Sequence, residues 1–320
     1  MHQSEKRVFI TGAAGFIGFH LAKFLKQRGD FVSGCDLFND YYDPGLKKRR
    51  AEELEKLGIE ILECDIRERS TLEWKIEKQH ISHLVHFAAQ AGVRHSLHHP
   101  MSYVDANLEG FVDIVEICRK YPHLKLTYAS SSSVYGLNQK IPFSEKDITD
   151  TPTNLYGATK KANELIAHAY HHLFGLSATG LRYFTVYGPW GRPDMAYFSF
   201  AKAIMEKKPI KVFNQGAMKR DFTYIDDIIK GTAAAIDLES PYAIFNLGNE
   251  RPEDLTKLIQ LLEKYLQKSA ILEMAPMQPG DMTITCADIS YAREKLGYHP
   301  ITTLEEGIEK FVHWYQNYIF

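Results

Sequence analysis

The chain has 320 residues, 45% of them hydrophobic, enough to bury a large core and to form more than one domain. Its 38 basic and 40 acidic residues leave a formal net charge of −2, so no electrostatic footprint points to nucleic acid or to an acidic membrane surface. No apolar run reaches membrane-spanning length, and the first strand signal begins within a few residues of Met1 with no room for a signal sequence, so a cytoplasmic protein is expected.

Residues 7–11 read as a short apolar strand running into Gly12-Ala13-Ala14-Gly15-Phe16-Ile17-Gly18, after which 19–28 has helical spacing. Strand, glycine turn and helix in that order make a dinucleotide site: the backbone approaches a pyrophosphate, whose charge meets free amides and the positive end of the helix dipole. A second strand, 31–35, ends at Asp36, where a carboxylate accepts both hydroxyls of an adenosine ribose and repels a 2′-phosphate, favouring NAD over NADP. The cluster Lys47-Lys48-Arg49-Arg50 reads as the exposed face of a helix continuing through Leu54. A third strand, 60–63, leads to Asp65-Ile66 beside the expected adenine. A fourth, 83–87, ends in Ala88-Ala89-Gln90-Ala91-Gly92, small enough for backbone to meet the dinucleotide. A fifth, 124–128, ends in the run Ser130-Ser131-Ser132-Ser133. Each of these segments follows the carboxyl end of a predicted strand, where open parallel sheets bind ligands.

Tyr156 lies 25 residues after Ser131 and four, one helical turn, before Lys160, leading into a helix predicted over 158–173. A tyrosine keeps its proton to about pH 10, but an ammonium one turn away stabilises the phenolate and makes it a base near neutrality. Ser131 can share the same substrate oxygen. Such pairs are common on solvated helix faces; the upstream dinucleotide turn gives this one its meaning. A second amphipathic helix is expected over 103–119.

Beyond about residue 183 the regular alternation gives way to polar connections at 187–195, 214–223 and 275–285, read as a substrate-side surface. Segments 224–236 and 244–247 read as elements returning to the first domain. The expected fold is α/β: a Rossmann-like doubly wound parallel sheet over 1–183, with returning segments near 224–247, and a smaller mixed α/β domain over 184–320. Cys35, Cys64, Cys118 and Cys286 have no metal-ligand or disulfide-framework spacing and read as reduced core residues. The fourteen histidines lack coherent companion ligands, so no metal is predicted.

The glycine triplet, Asp36, the serine run and Tyr156/Lys160 together resemble the extended short-chain dehydrogenase/reductase family, and within it the nucleotide-sugar epimerases, dehydratases and decarboxylases. The resemblance covers essentially the whole chain and includes Arg182-Tyr183-Phe184-Thr185-Val186-Tyr187-Gly188-Pro189 and Arg220-Asp221-Phe222-Thr223-Tyr224. It implies NAD held by Gly12, Gly15, Phe16, Ile17, Gly18, Asp36, Asn39, Asp65, Ile66, Ala88, Ala89, Tyr156 and Lys160. It further implies a UDP-sugar with Arg220 at the diphosphate, Asp281 at the uridine ribose and Phe213 by the uracil.

Family dehydratases carry Asp-Glu where Ser132-Ser133 stand, and decarboxylases a glutamate at Ser133, so the resemblance implies an epimerase with Tyr156, Lys160 and Ser131 as catalytic residues. The segments from Tyr187 through Arg192 to Ala196, Asn39-Asp40-Tyr41-Tyr42-Asp43, Ala91-Gly92-Val93-Arg94 and Met277-Gln278-Pro279-Gly280-Asp281 resemble those of UDP-glucuronate 4-epimerases. That implies conversion of UDP-glucuronate to UDP-galacturonate for surface polysaccharide precursors, with Arg94, Ser132, Ser133, Thr185 and Arg192 at the substrate. A 4-epimerase of neutral or N-acetylated UDP-hexoses, a UDP-glucuronate decarboxylase and a non-catalytic NAD sensor remain alternatives. A homodimer is also implied, with helices 103–119 and 158–173 pairing in a four-helix bundle.

Overall fold

The computed structural model describes residues 5–277 and 282–319. Its strands, in chain order, are β1 (Arg7–Thr11), β2 (Phe31–Asp36), β3 (Glu60–Glu63), β4 (His83–His86), β5 (Lys125–Ser131), β6 (Ser177–Tyr183), β7 (Thr185–Tyr187), β8 (Pro209–Phe213), β9 (Lys219–Tyr224), β10 (Tyr242–Leu247), β11 (Pro252–Asp254) and β12 (Ile271–Ala275). Seven of them form one parallel sheet in the order β10-β6-β5-β4-β1-β2-β3. The order reverses between β1 and β4, and such a switch point leaves a crevice at the carboxyl ends of the strands.

Helices cover both faces of this sheet, which is why its central strands read as apolar runs: Val8, Ile10 and Val85 are fully buried. The helix Phe16–Arg28 leaves the glycine turn directly and stops at Gly29, whose φ of 103° lets its amide reach the Leu25 and Lys26 carbonyls. A Cβ on Gly18 would stand 2.3 Å from the Gly12 carbonyl oxygen, and one on Gly12 2.7 Å from the Ala88 nitrogen. The turn therefore closes against β4 only without side chains at those positions.

After β6 the chain builds smaller sheets: β7, β9 and β11 form a mixed three-stranded one, and β8 pairs with β12 in parallel. Helix Ile225–Leu238 and β10 then return to the large sheet, β10 pairing with β6. The Arg28–Asp237 ion pair at 2.6 Å fastens the returning helix to Phe16–Arg28.

Three segments differ from the sequence reading. The connection expected over 214–223 contains most of β9, whose buried Phe222 and Tyr224 follow a charged start that masks the strand pattern. The helix expected over 103–119 is α-helical at Pro100–Tyr103 and Gly110–Lys120 but π-helical at Val104–Glu109, a local widening that exposes backbone groups to outside partners. The basic cluster is exposed only at Lys48 and Arg49; Lys47 and Arg50 are buried, because helix Pro44–Glu55 turns them inward with Leu46, Ala51 and Leu54.

Candidate active site

A cleft of about 390 Å³ opens at the switch point. Every residue expected to hold NAD lines it: Gly12, Gly15, Phe16, Ile17 and Gly18 from the turn; Asp36 and Asn39 after β2; Asp65 and Ile66 after β3; Ala88 and Ala89 after β4; and Tyr156 and Lys160 from helix Leu155–Phe174. Ser131 and Arg192 line the same space. A charged dinucleotide fits this donor set: the glycines leave the turn without side chains, and Asp36 brings a carboxylate to the cleft at the end of β2. Asp36 Oδ1 accepts from Lys47 Nζ at 3.1 Å and from the Phe38 amide at 3.0 Å, and Lys47 also donates to Asn39 Oδ1 at 2.9 Å. The sequence reading missed Lys47; its signal was a place in register with the buried stripe of its helix.

Asn154 caps the helix that carries Tyr156, its side chain accepting from the Gly157 amide at 2.8 Å. A Cβ on Gly157 would lie 2.6 Å from the Ser133 carbonyl oxygen, so glycine there lets the first helical turn pack on the serine run. The Ser131 hydroxyl accepts from the Ser133 amide and donates to the Ser133 hydroxyl, both at 3.2 Å. Burial pushes the Tyr156 phenol above its ordinary value, while the Ser131 hydroxyl and the Arg192 guanidinium pull it down. Lys160 is buried beside it, and its Nζ donates to the Ala129 carbonyl at 2.9 Å.

Burial lowers Lys160 from 10.5 to about 8. Between those values the unfolded chain binds the proton and the folded chain does not, so this lysine's contribution to stability rises with pH across the window and its penalty is full below pH 8. Relative to Lys160→Met, the ligand-free wild type is expected to gain ~3 kcal/mol between pH 7.5 and 10.5, read by urea unfolding; a constant difference across that range would contradict it.

Beneath the site, the π-helical stretch presents Asn107, which the sequence reading took for an ordinary helical residue. Its side chain accepts from the Gln90 amide at 2.8 Å and donates to the Gln90 carbonyl and the Thr159 hydroxyl, each at 3.0 Å. Its own carbonyl accepts from Asn163 at 2.6 Å. The widened turn thus ties the Ala88–Ala91 segment to the helix bearing Tyr156 and Lys160.

On the expected substrate side, Arg192 makes a bidentate pair with Asp194 (3.0 and 2.5 Å), and Asp194 accepts from the Tyr41 hydroxyl at 3.0 Å. Burial works against the Asp194 charge, but the Arg192 guanidinium outweighs it and holds the carboxyl low. Ser132, Ser133, Thr185, Arg94, Phe213 and Arg220 do not line the cleft. Ser132 and Ser133 begin a 3₁₀ turn after β5, and Thr185 starts β7 opposite Phe222. Arg94 stacks 4.8 Å above the Phe213 ring, and Arg220 donates to the Lys219 and Thr283 carbonyls at 3.0 and 3.3 Å. Asp281 and the rest of the segment from Gln278 lie outside the described residues. Among the described residues no three His, Cys, Asp or Glu side chains form a metal-binding group, and no helix is long and apolar enough to cross a membrane.

Comparison with known proteins agrees with this fold. The model of the NAD dependent epimerase/dehydratase family matches residues 8–248. UDP-glucuronate 4-epimerase 4 of Arabidopsis thaliana is 50% identical over 97% of this chain and 75% of its own length. The crystal structure of UDP-glucuronic acid 4-epimerase from Bacillus cereus in complex with UDP-glucuronic acid and NAD superposes with a TM-score of 0.90 at 35% identity, covering 97% of this chain and 99% of that one. Thermus thermophilus UDP-glucose 4-epimerase in complex with NAD gives 0.88 at 26% identity over 98% and 99%. A glycine turn, a switch-point cleft and a match of this extent place the chain in the NAD dependent epimerase/dehydratase family.

Proposed function

We propose that this protein is an isomerase that interconverts UDP-glucuronate and UDP-galacturonate by NAD-dependent oxidation and re-reduction at C4 of the sugar. The observation that carries this reading is Tyr156, Ser131 and Arg192 converging on the cleft beside the glycine turn, with serines instead of acids at 132 and 133; the 50% identity to a UDP-glucuronate 4-epimerase supports it. The chemistry that NAD supplies when bound is acceptance and return of a hydride. Tyr156 takes the C4 hydroxyl proton and later gives it back, and Ser131 hydrogen-bonds the same oxygen. Lys160, buried in the cleft wall, contributes positive charge that favours the phenolate. Between the two transfers the 4-keto sugar presents its other face, so no net redox occurs.

A 4-keto uronate is a β-keto acid and loses carbon dioxide when its C5–carboxylate bond aligns with the carbonyl π system. We assign Arg192 to the anionic part of the sugar nucleotide, and the Ser132, Ser133 and Thr185 hydroxyls to holding the carboxylate out of that alignment as the substrate settles. Arg94 with Phe213, and Arg220, are assigned to the uridine diphosphate end, with Asp281 at the ribose. Incubating the purified protein with UDP-glucuronate and resolving products by NMR tests the whole reading: UDP-galacturonate without carbon dioxide is expected, while a pentose product or turnover of neutral UDP-hexoses alone would overturn it.

We assign the Asp36 carboxylate to the adenosine ribose, where it would repel a 2′-phosphate, so Asp36→Asn should narrow the preference for NAD over NADP by about tenfold or more, with Lys47 left to meet the phosphate. Equal discrimination in titrations of wild type and variant would remove Asp36 from that role. We read 1–183 with the returning 224–247 as the cofactor domain and most of 184–320 as the substrate domain. Exposed Leu165, Leu173 and Phe174 on one helix and Val112 on Gly110–Lys120 support a homodimer through a four-helix bundle; a monomeric mass by light scattering would refute it. Four buried free cysteines suit the cytoplasm, and the product suits a route to surface polysaccharide.

A further inference from the structure

The guanidinium of Arg50 is fully buried, yet its four described acceptors are uncharged. One terminal nitrogen donates to the Ala14 carbonyl at 3.0 Å and the Tyr42 hydroxyl at 2.8 Å. The other donates to the carbonyls of Trp190 at 2.6 Å and Gly191 at 3.0 Å. Ala14 belongs to the glycine turn, and Trp190 and Gly191 belong to the loop that carries Arg192. A rigid planar fork of donors can span two such segments, whereas a single ammonium cannot. Burying a cation on three carbonyls and a hydroxyl is a poor way to gain stability, which points to a task for it.

The loop needs holding. Gly188 sits at φ 145° and Trp190 at φ 60°, a left-handed conformation that strains a tryptophan and persists only where its surroundings impose it. The Trp190 ring packs on Phe19 of the helix that follows the turn, with centroids 5.1 Å apart. Beside it, His20 Nε2 meets the Pro189 carbonyl at 2.9 Å; burial first, and the Arg50 charge after it, lower this histidine to about 3, so it stays neutral and donates.

We propose that Arg50 is a positioning residue that fastens the 188–195 loop to the cofactor turn, so that Arg192 is presented to the cleft in register with bound NAD. The proposal deepens the functional reading above and rests on it for the role of Arg192. Hydrogen exchange on the NAD-loaded enzyme, wild type against Arg50→Lys, tests it. The 188–195 amides should exchange about tenfold faster or more in the variant, while β1, β4 and β5 keep their protection. KM for UDP-glucuronate should rise on the order of tenfold, with a smaller change in kcat. Unchanged exchange at 188–195 in a folded Arg50→Lys enzyme overturns the proposal, as does a fall in kcat with KM unchanged. If Arg50→Lys does not fold, wild type before and after NAD loading decides: protection reaching both 12–18 and 188–195 supports the fastening, and protection confined to 12–18 overturns it. The exchange readout needs no substrate, so it judges the fastening even where UDP-glucuronate proves to be the wrong sugar.

Discussion

Tyr156→Phe is expected to lower kcat for UDP-glucuronate by roughly 10³-fold, within the span removed with a general base, while NAD stays bound. The substitution keeps the ring that packs edge-on against Tyr103 at 6.2 Å and removes only the hydroxyl. No neighbour can replace it. A serine hydroxyl is too weak an acid to act as base unaided, and Lys160 is committed to the Ala129 carbonyl. Its neutral form also grows only as pH passes about 8, when the charge that favours a phenolate is lost. Product NMR with cofactor measured after gel filtration separates chemistry from binding; turnover within about tenfold of wild type, with NAD retained, would remove Tyr156 as the base.

The largest stability effect is expected at Glu164, one helical turn beyond Lys160. Its carboxylate receives both arms of Arg182 at 2.8 Å and the Ser130 hydroxyl at 2.6 Å, with both charged partners almost fully buried. Arg182 also donates to the Tyr135 hydroxyl at 2.9 Å, which donates to Asn246 at 2.7 Å, so one network joins β5, β6, β10 and the helix bearing Tyr156. Glu164→Ala would strand the Arg182 charge in the interior, a change that costs about 3–5 kcal/mol. Glu164→Leu with Arg182→Met, which removes both charges, should lose clearly less. Denaturant unfolding of the single and double variants checks this; a double variant as unstable as the sum of its singles would show that the pair is not a coupled unit.

The strand ends and glycine positions were readable because they depend on neighbours in sequence. An apolar run must be a strand or a helix, and a glycine turn between the two admits few conformations. Every residue assigned to the cofactor sits at such a strand end or on the helix that faces it. The expected substrate side was less legible, since the contact of Arg94 with Phe213 joins a connection after β4 to the end of β8, and such a meeting is set by how the smaller sheets stack. Arg50 and Lys47 were misread because charge pattern alone does not tell a solvated cation from one turned inward; only the carbonyls and carboxylate waiting inside decide it. Asn107 was hidden for a related reason: a π-helical turn leaves no mark in spacing.

The sequence by itself determined the first five strands of the large sheet, the glycine turn between the first strand and its helix, the acid at the end of β2 and the spacing of Tyr156 and Lys160 one helical turn apart, all consequences of local periodicity and backbone freedom. Only the tertiary structure decided that Lys160 donates to the Ala129 carbonyl, that Arg192 is held by Asp194, which Tyr41 holds in turn, and that Arg50 joins the glycine turn to a loop 140 residues beyond it in sequence. The physical reason is that buried polar groups take whatever partners the packed chain brings within hydrogen-bonding reach, and those partners lie far apart in sequence.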